Sequence, residues 1–242
     1  MLLNYQPIID IRSRKVVKAE ALARFPDSPE GLNTPDGFIP YAEHNGLMKS
    51  LTSWLFSTAF QFWATLGSAA PELSMNLSVQ NLQEVDLADR MLDTAKRNGI
   101  SPTRLWVELG EGIFDVHDSV SHQTLAQLSK AGVRLCVDGL GPGLSPVTHL
   151  QLGDVPVREI KLDRLMTSEL DTDAAQRAKV AGIADIARHL SLDMAAKGVE
   201  RPELIEQLAR AGFVRVQGRA IAPPMDAATF EAYLRKPVAT PA

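Results

Sequence analysis

The chain has 242 residues, of which 45% are hydrophobic and 22% are charged. This composition suits one large domain with a substantial core, and no linker divides the chain. The formal net charge of −4 argues against a nucleic acid partner, and no apolar stretch approaches the ~18 residues that cross a membrane. The single cysteine, Cys136, excludes an internal disulfide and fits the reducing cytoplasm, where we expect the protein to act.

Short apolar runs along the chain are expected to form strands. In chain order they are residues 15–25, 73–78, 104–109, 134–140, 157–162, 192–196 and 213–217. Their short length and largely apolar character are typical of strands buried on both faces of a parallel sheet.

Helices are expected between these runs, where apolar residues recur about every 3.6 positions. The predicted helices are residues 86–99, 119–131, 173–190 and 203–211. This alternation predicts a mostly parallel α/β domain whose size matches a (β/α)₈ barrel, with a doubly wound open sheet as the alternative. We expect residues 1–236 to form the barrel domain and residues 237–242 to be a disordered tail.

A polar side chain follows or ends almost every predicted strand. The oxygen donors are Glu20, Asn76, Glu108 and Asp138, and the later strands supply Lys161, Asp163, Lys197, Glu200 and Gln217. In a barrel these side chains would converge on one mouth, where carboxylate and amide oxygens suit Mg²⁺ or Mn²⁺. The simpler interpretation is that strands end in polar residues because loops begin there.

A series of collinear blocks carries a family resemblance. The blocks lie at residues 5–8, 20–25, 38–43, 75–78, 107–111, 137–138, 160–163, 198–200 and 217–218. They resemble the EAL domain family of cyclic di-GMP phosphodiesterases, which is named after the tripeptide found here at Glu20, Ala21 and Leu22. The resemblance implies a TIM-like (β/α)₈ barrel whose first strand is antiparallel. It also implies cyclic di-GMP as ligand and, in active members, hydrolysis with two metal ions and a metal-activated water.

The matching motifs also imply roles for individual residues. The first metal would be held by Glu20, Asn76, Glu108 and Asp138. Lys161 would assist the attacking water or the phosphate, and Glu111 would brace the loop after residues 134–140. The nucleotide would be contacted by Gln6, the backbone of Leu22, Arg24, Asn76 and Gln217.

Two departures from the family pattern fall on the expected catalytic machinery. Gly139 stands where the family has the second of two consecutive aspartates, and Pro142 and Pro146 alter the loop that follows. Lys197 stands where the family has the glutamate expected to act as general base. We therefore expect one retained site for Mg²⁺ or Mn²⁺ and the loss of the second.

These departures favour a degenerate member that binds cyclic di-GMP and reports it to a protein partner. An active but slow phosphodiesterase that gives linear pGpG is the first alternative. A protein-interaction module without nucleotide is the second, because two aromatic positions of the family are occupied by Arg219 and Ile221. A homodimer is possible by resemblance, but the changes at residues 139–146 affect the region beside that interface.

Overall fold

Eight strands close into one barrel in the computed structural model, which describes residues 1–25, 35–141 and 155–235. The strands are β1 Leu2–Asp10, β2 Val16–Arg24, β3 Glu72–Leu77, β4 Leu105–Gly110, β5 Arg134–Leu140, β6 Val157–Leu162, β7 Asp193–Ala196 and β8 Arg215–Gln217. Strand order around the barrel follows chain order, so each strand pairs with its sequence neighbours.

Helices cover the outside of the barrel. They are α1 Pro35–His44, α2 Met48–Leu66, α3 Val79–Leu82, α4 Leu87–Arg97, α5 Ser119–Lys130, α6 Arg164–Thr167, α7 Ala174–His189, α8 Leu204–Arg210 and α9 Ala227–Arg235. Within the described parts of the chain, none of these helices combines the length and the apolar character that crossing a bilayer requires.

Strand direction confirms the predicted TIM-like barrel with an antiparallel first strand. β1 runs antiparallel to both β2 and β8, and every other neighbouring pair is parallel. A tight turn joins β1 to β2, in which Asp10 accepts a hydrogen bond from the backbone of Ser13 at 2.7 Å. The closed sheet rules out the open doubly wound alternative.

The strand prediction missed β1 because the β1 sequence alternates instead of forming an apolar run. Leu3 and Tyr5 are buried, whereas Asn4 and Gln6 between them are only half-buried. The buried face of β1 is held by aromatic contacts, since the Tyr5 ring lies 5.7 Å from that of Phe230 in α9. Because Asn4 and Gln6 interrupt its apolar residues, β1 lacks the continuous apolar run by which strands were predicted, although it completes the barrel.

The long helix α2 was also absent from the prediction. Its buried face carries Phe56, Phe60 and Trp63, and aromatic residues have only moderate helix propensity. Packing against the barrel therefore decides its structure. The predicted tail at 237–242 and the two prolines expected to alter the loop, Pro142 and Pro146, lie outside the described residues.

Candidate functional site

The barrel interior is built from stacked layers of polar side chains. Alternate strands of a TIM barrel contribute the four side chains of each layer. Strands β2, β4, β6 and β8 supply one layer near the C-terminal ends of the strands, which we call the upper layer: Glu20, Glu108, Lys161 and Gln217. All four residues are buried, with Lys161 fully so.

Lys161 links the two carboxylates of the upper layer. Its Nζ donates to Glu108 Oε2 at 2.5 Å and to Glu20 Oε2 at 3.2 Å. Gln217 Nε2 also donates to Glu20 Oε2, at 2.7 Å. Asn76, at the end of β3, donates to the other oxygen of Glu20 at 2.7 Å. The structure therefore brings these predicted site residues into one hydrogen-bonded network.

The two carboxylates of this network titrate very differently. Burial opposes ionisation of Glu20, but the charge of Lys161 and the hydrogen bonds from Asn76 and Gln217 outweigh it and lower its pKa to about 2. Burial raises the pKa of Glu108 to about 7, and the nearby charge of Glu20 adds to the increase. Burial also opposes the charge on Lys161, yet Glu108 and Glu20 raise its pKa well above the usual range. Glu20 and Lys161 are thus charged at neutral pH.

The predicted nucleotide contacts surround this layer on the β1–β2 side. Gln6 Oε1 accepts from Gln217 Nε2 at 3.0 Å, and Gln6 Nε2 donates to the carbonyl of Ala222 at 3.1 Å. The Oε1 atom of Gln217 is buried and has no hydrogen-bond partner among the described residues. A buried acceptor without a donor is costly, so Gln217 keeps an unused hydrogen-bonding capacity within this network.

Arg24 and Leu22 lie further along β2, towards its C-terminal end. Arg24 donates to the carbonyl of its neighbour Ala23 at 2.8 Å, and burial lowers its pKa despite the charge of Glu20. Leu22 pairs with Asn4 of β1. Within the described part of the chain, these contacts lie in their own or the adjacent strand, so the roles of Arg24 and Leu22 toward a nucleotide stay predictions.

The two departures from the family pattern meet in space. Lys197 Nζ donates to Asp138 Oδ2 at 3.0 Å and lies 3.7 Å from Asp163 Oδ2. A Cβ atom placed on Gly139 would lie 3.5 Å from the same ammonium. Burial opposes its charge, but Asp138 raises the pKa of Lys197, which therefore stays protonated.

Glu111 contacts the loop that follows β5, as expected. Its Oε1 atom accepts a hydrogen bond from the backbone N–H of Gly141 at 2.8 Å. Glu111 lies in a short 3₁₀ turn directly after β4, so this bond ties the end of β4 to the start of the loop. The bracing role predicted for Glu111 agrees with this contact.

The predicted metal ligands offer oxygen atoms, but their carboxylates form ion pairs with lysine side chains. Within residues 1–25, 35–141 and 155–235, no three histidine, cysteine, aspartate or glutamate side chains are grouped so that they could hold a metal ion. Lys161 lies between Glu20 and Glu108, while Lys197 binds Asp138. Asp138 Oδ1 is buried and has no hydrogen-bond partner in the described structure. One unpartnered oxygen is not a metal site by itself, so the retained ion site stays a prediction.

Sequence reasoning missed a second layer further down the barrel. Strands β2, β4, β6 and β8 also supply what we call the floor layer: Lys18, Trp106, Glu159 and Arg215. Glu159 accepts from Lys18 at 2.5 Å and from Arg215 at 2.6 Å, and Lys18 lies 4.0 Å from the centre of the Trp106 ring. Each residue is two positions before a member of the upper layer, a spacing that could have revealed it.

Comparisons with known proteins agree with this architecture. The EAL domain model matches residues 1–224. The bifunctional diguanylate cyclase/cyclic di-GMP phosphodiesterase MucR of Pseudomonas aeruginosa is 31% identical over 230 residues, covering 94% of this chain and 33% of MucR. "Probable cyclic di-GMP phosphodiesterase PdeI" of Escherichia coli K12 is 30% identical over 230 residues, covering 93% of this chain and 29% of PdeI.

A solved structure extends the comparison to three dimensions. The PaMucR phosphodiesterase in complex with c-di-GMP matches with a TM-score of 0.84 and 31% identity, covering 95% of this chain and 93% of that one. The chain spans about a third of the length of the curated relatives it matches. On its barrel topology, its motifs and these matches, the chain belongs to the EAL domain family.

Proposed function

We propose that this domain is a receptor for cyclic di-GMP whose capacity for hydrolysis is impaired. One observation carries the proposal: the ammonium of Lys197 is bound to Asp138 at 3.0 Å, at the position where the family pattern has a general base. The named activities of MucR and PdeI and the ligand in the PaMucR structure support the choice of nucleotide.

Ligand binding is supported by residues that keep the family pattern. Arg24 offers a guanidinium fork, which suits a phosphate oxygen pair. Gln217 offers a buried, unpartnered Oε1, which suits a guanine N–H group. Gln6 hydrogen-bonds to Gln217 at 3.0 Å and fixes its orientation, and the Leu22 backbone lies on the same side of the barrel.

Hydrolysis is impaired in this proposal because both lost acids belong to its machinery. A positioned general base contributes about 10²–10⁴-fold in rate, and Lys197 remains protonated and cannot act as one. A unit positive charge about 4 Å from a divalent cation repels it by roughly 8 kcal/mol at an effective dielectric near 20. Gly139 adds no carboxylate to offset this repulsion.

One ion site is retained in the proposal. Glu20, Asn76, Glu108 and Asp138 would hold Mg²⁺ or Mn²⁺, which would lower the pKa of a bound water. Lys161 would hold Glu20 and Glu108 in place and donate toward the water or phosphate. The second ion site would be lost.

Calorimetry combined with chromatography tests the proposal. Titration of the domain with cyclic di-GMP should give one ligand per chain, and the nucleotide recovered after long incubation with Mn²⁺ should still be cyclic. Absence of heat and of any thermal shift would overturn the receptor function. An Arg12→Ala variant is the matched control for Arg24→Ala, because Arg12 is exposed in the turn between β1 and β2.

A slow phosphodiesterase is the second candidate, and the intact upper layer favours it. Lys161, Glu20 and Glu108 keep a connected network that could still activate water. Linear pGpG formed by the wild type and lost in Glu20→Ala would establish this alternative. A protein partner captured equally well by wild type and Arg24→Ala would instead favour an interaction module without nucleotide.

A further inference from the structure

Lys197 is held at the barrel mouth in a fixed position. Its backbone N–H donates to the carbonyl of Leu162 at 3.0 Å, which anchors the end of β7 to β6. Its ammonium bridges Asp138 at 3.0 Å and Asp163 at 3.7 Å, and the side chain is 30% exposed. An ammonium has three N–H donors and only Asp138 lies within hydrogen-bond distance among the described residues, so a donor is left for a further acceptor.

The position of Gly139 explains how this ammonium fits. Gly139 has a φ of +78°, and a side chain there would begin 3.5 Å from Lys197 Nζ. A carboxylate at position 139 would therefore lie against the position that the ammonium now occupies. The loss of one acid and the replacement of the other by an amine are neighbouring changes, which the linear sequence does not reveal.

The charge of the barrel mouth also differs from that of a site built to gather two metal ions. Four carboxylates, those of Glu20, Glu108, Asp138 and Asp163, meet the two ammonium groups of Lys161 and Lys197. Each ammonium offsets the charge of one carboxylate in this network. Acids at positions 139 and 197 would make the network far more negative, as expected for a site that gathers two ions.

We propose that Lys197 is a built-in counter-ion that takes the place of one metal ion, so that this domain binds the phosphate of a cyclic dinucleotide without requiring metal. The free N–H of the ammonium would donate to a phosphate oxygen, while Asp138 and Asp163 hold the group in position. This inference rests on the proposed cyclic di-GMP binding and adds how the phosphate is recognised.

Calorimetry with cyclic di-GMP in excess EDTA and in Mg²⁺ separates the two proposals. For the wild type, we expect dissociation constants within about threefold of each other in the two buffers. Lys197→Met should weaken binding in EDTA by about 10–100-fold, the usual effect of losing a charged hydrogen bond. Lys197→Arg, which keeps the charge, should recover most of the affinity, and Lys179→Met, at an exposed position of α7, should have none of these effects.

Each outcome has a distinct meaning. Wild-type binding in Mg²⁺ but not in EDTA would overturn the counter-ion role and leave the receptor function standing. Absence of binding in both buffers would overturn the receptor function itself. Equal affinity of Lys197→Met and wild type in EDTA would also contradict the counter-ion role.

Metal stoichiometry gives a second test that does not involve the nucleotide. Titration with Mn²⁺ should show at most one ion per wild-type chain. The double variant Gly139→Asp with Lys197→Glu should bind one ion more than the wild type. Two ions bound to the wild type, or no gain in the double variant with an unchanged circular dichroism spectrum, would refute the proposal.

Discussion

Replacing Glu159 with glutamine tests how far the floor layer stabilises the barrel beneath the site. Glu159 is fully buried and accepts hydrogen bonds from Lys18 at 2.5 Å and from Arg215 at 2.6 Å. Glutamine keeps the size of the side chain but removes its charge. Lys18, which is also fully buried, would then lose its only ion-pair partner among the described residues.

Two lines of reasoning give the same magnitude for this change. Removing one partner of a buried ion pair costs about 3–5 kcal/mol, because the other charge stays buried without compensation. Burial opposes ionisation of Glu159, but the charges of Lys18 and Arg215 lower its pKa from 4.5 to about 2. At about 1.4 kcal/mol per pKa unit, this difference corresponds to about 3 kcal/mol of stability at neutral pH. We therefore expect Glu159→Gln to lower the free energy of unfolding by about 3 kcal/mol.

Urea unfolding near neutral pH measures this difference directly. The matched control is Glu206→Gln, whose carboxylate lies 3.5 Å from Arg210 with both side chains largely exposed. Exposed pairs contribute little, so the control should change stability by no more than about 0.5 kcal/mol. A loss of less than about 1 kcal/mol in Glu159→Gln, at an unchanged urea dependence, would refute the reasoning.

Three further predictions concern acid stability, backbone packing and the ligand. Above pH 4.5 the ionised Glu159 contributes its full stabilisation, and this contribution is lost as the pH falls towards 2. In urea titrations at acid pH, the difference in unfolding free energy between wild type and Glu159→Gln should therefore shrink by about 3 kcal/mol. Gly218→Ala should destabilise the protein by about 3 kcal/mol or more in thermal unfolding, because its Cβ would lie 2.1 Å from a backbone oxygen. The control Gly182→Ala in α7 has open space for its Cβ and should stabilise the protein by about 0.5–1 kcal/mol. Arg24→Ala should weaken cyclic di-GMP binding about 10–100-fold in calorimetry while Arg12→Ala should not; equal affinities would contradict the role of Arg24.

The strands buried on both faces could be predicted from the sequence because each is a short apolar run. β5 and β6 coincide with the predicted ranges 134–140 and 157–162. β1 and α2 could not be predicted in this way. Polar residues interrupt β1, and α2 contains moderate helix formers, so tertiary packing decides the structure of both.

The candidate site was predicted in part, because residues at strand ends can be read from the sequence whereas contacts between distant strands cannot. Polar residues at strand ends revealed Glu20 and Lys161, which the structure joins at 3.2 Å. The proximity of Lys197 to Gly139 could not be predicted, because it depends on how β5 and β7 are arranged around the barrel. Burial of Glu159 was equally hidden, since a lone glutamate within a strand is read as exposed.

Single-turnover conversion of cyclic di-GMP in Mn²⁺, with protein in excess, tests the central claim most directly. The wild type should return its nucleotide in cyclic form, whereas the double variant Gly139→Asp with Lys197→Glu should form the linear product at least about 100-fold faster. A wild-type rate equal to that of the double variant would contradict the account.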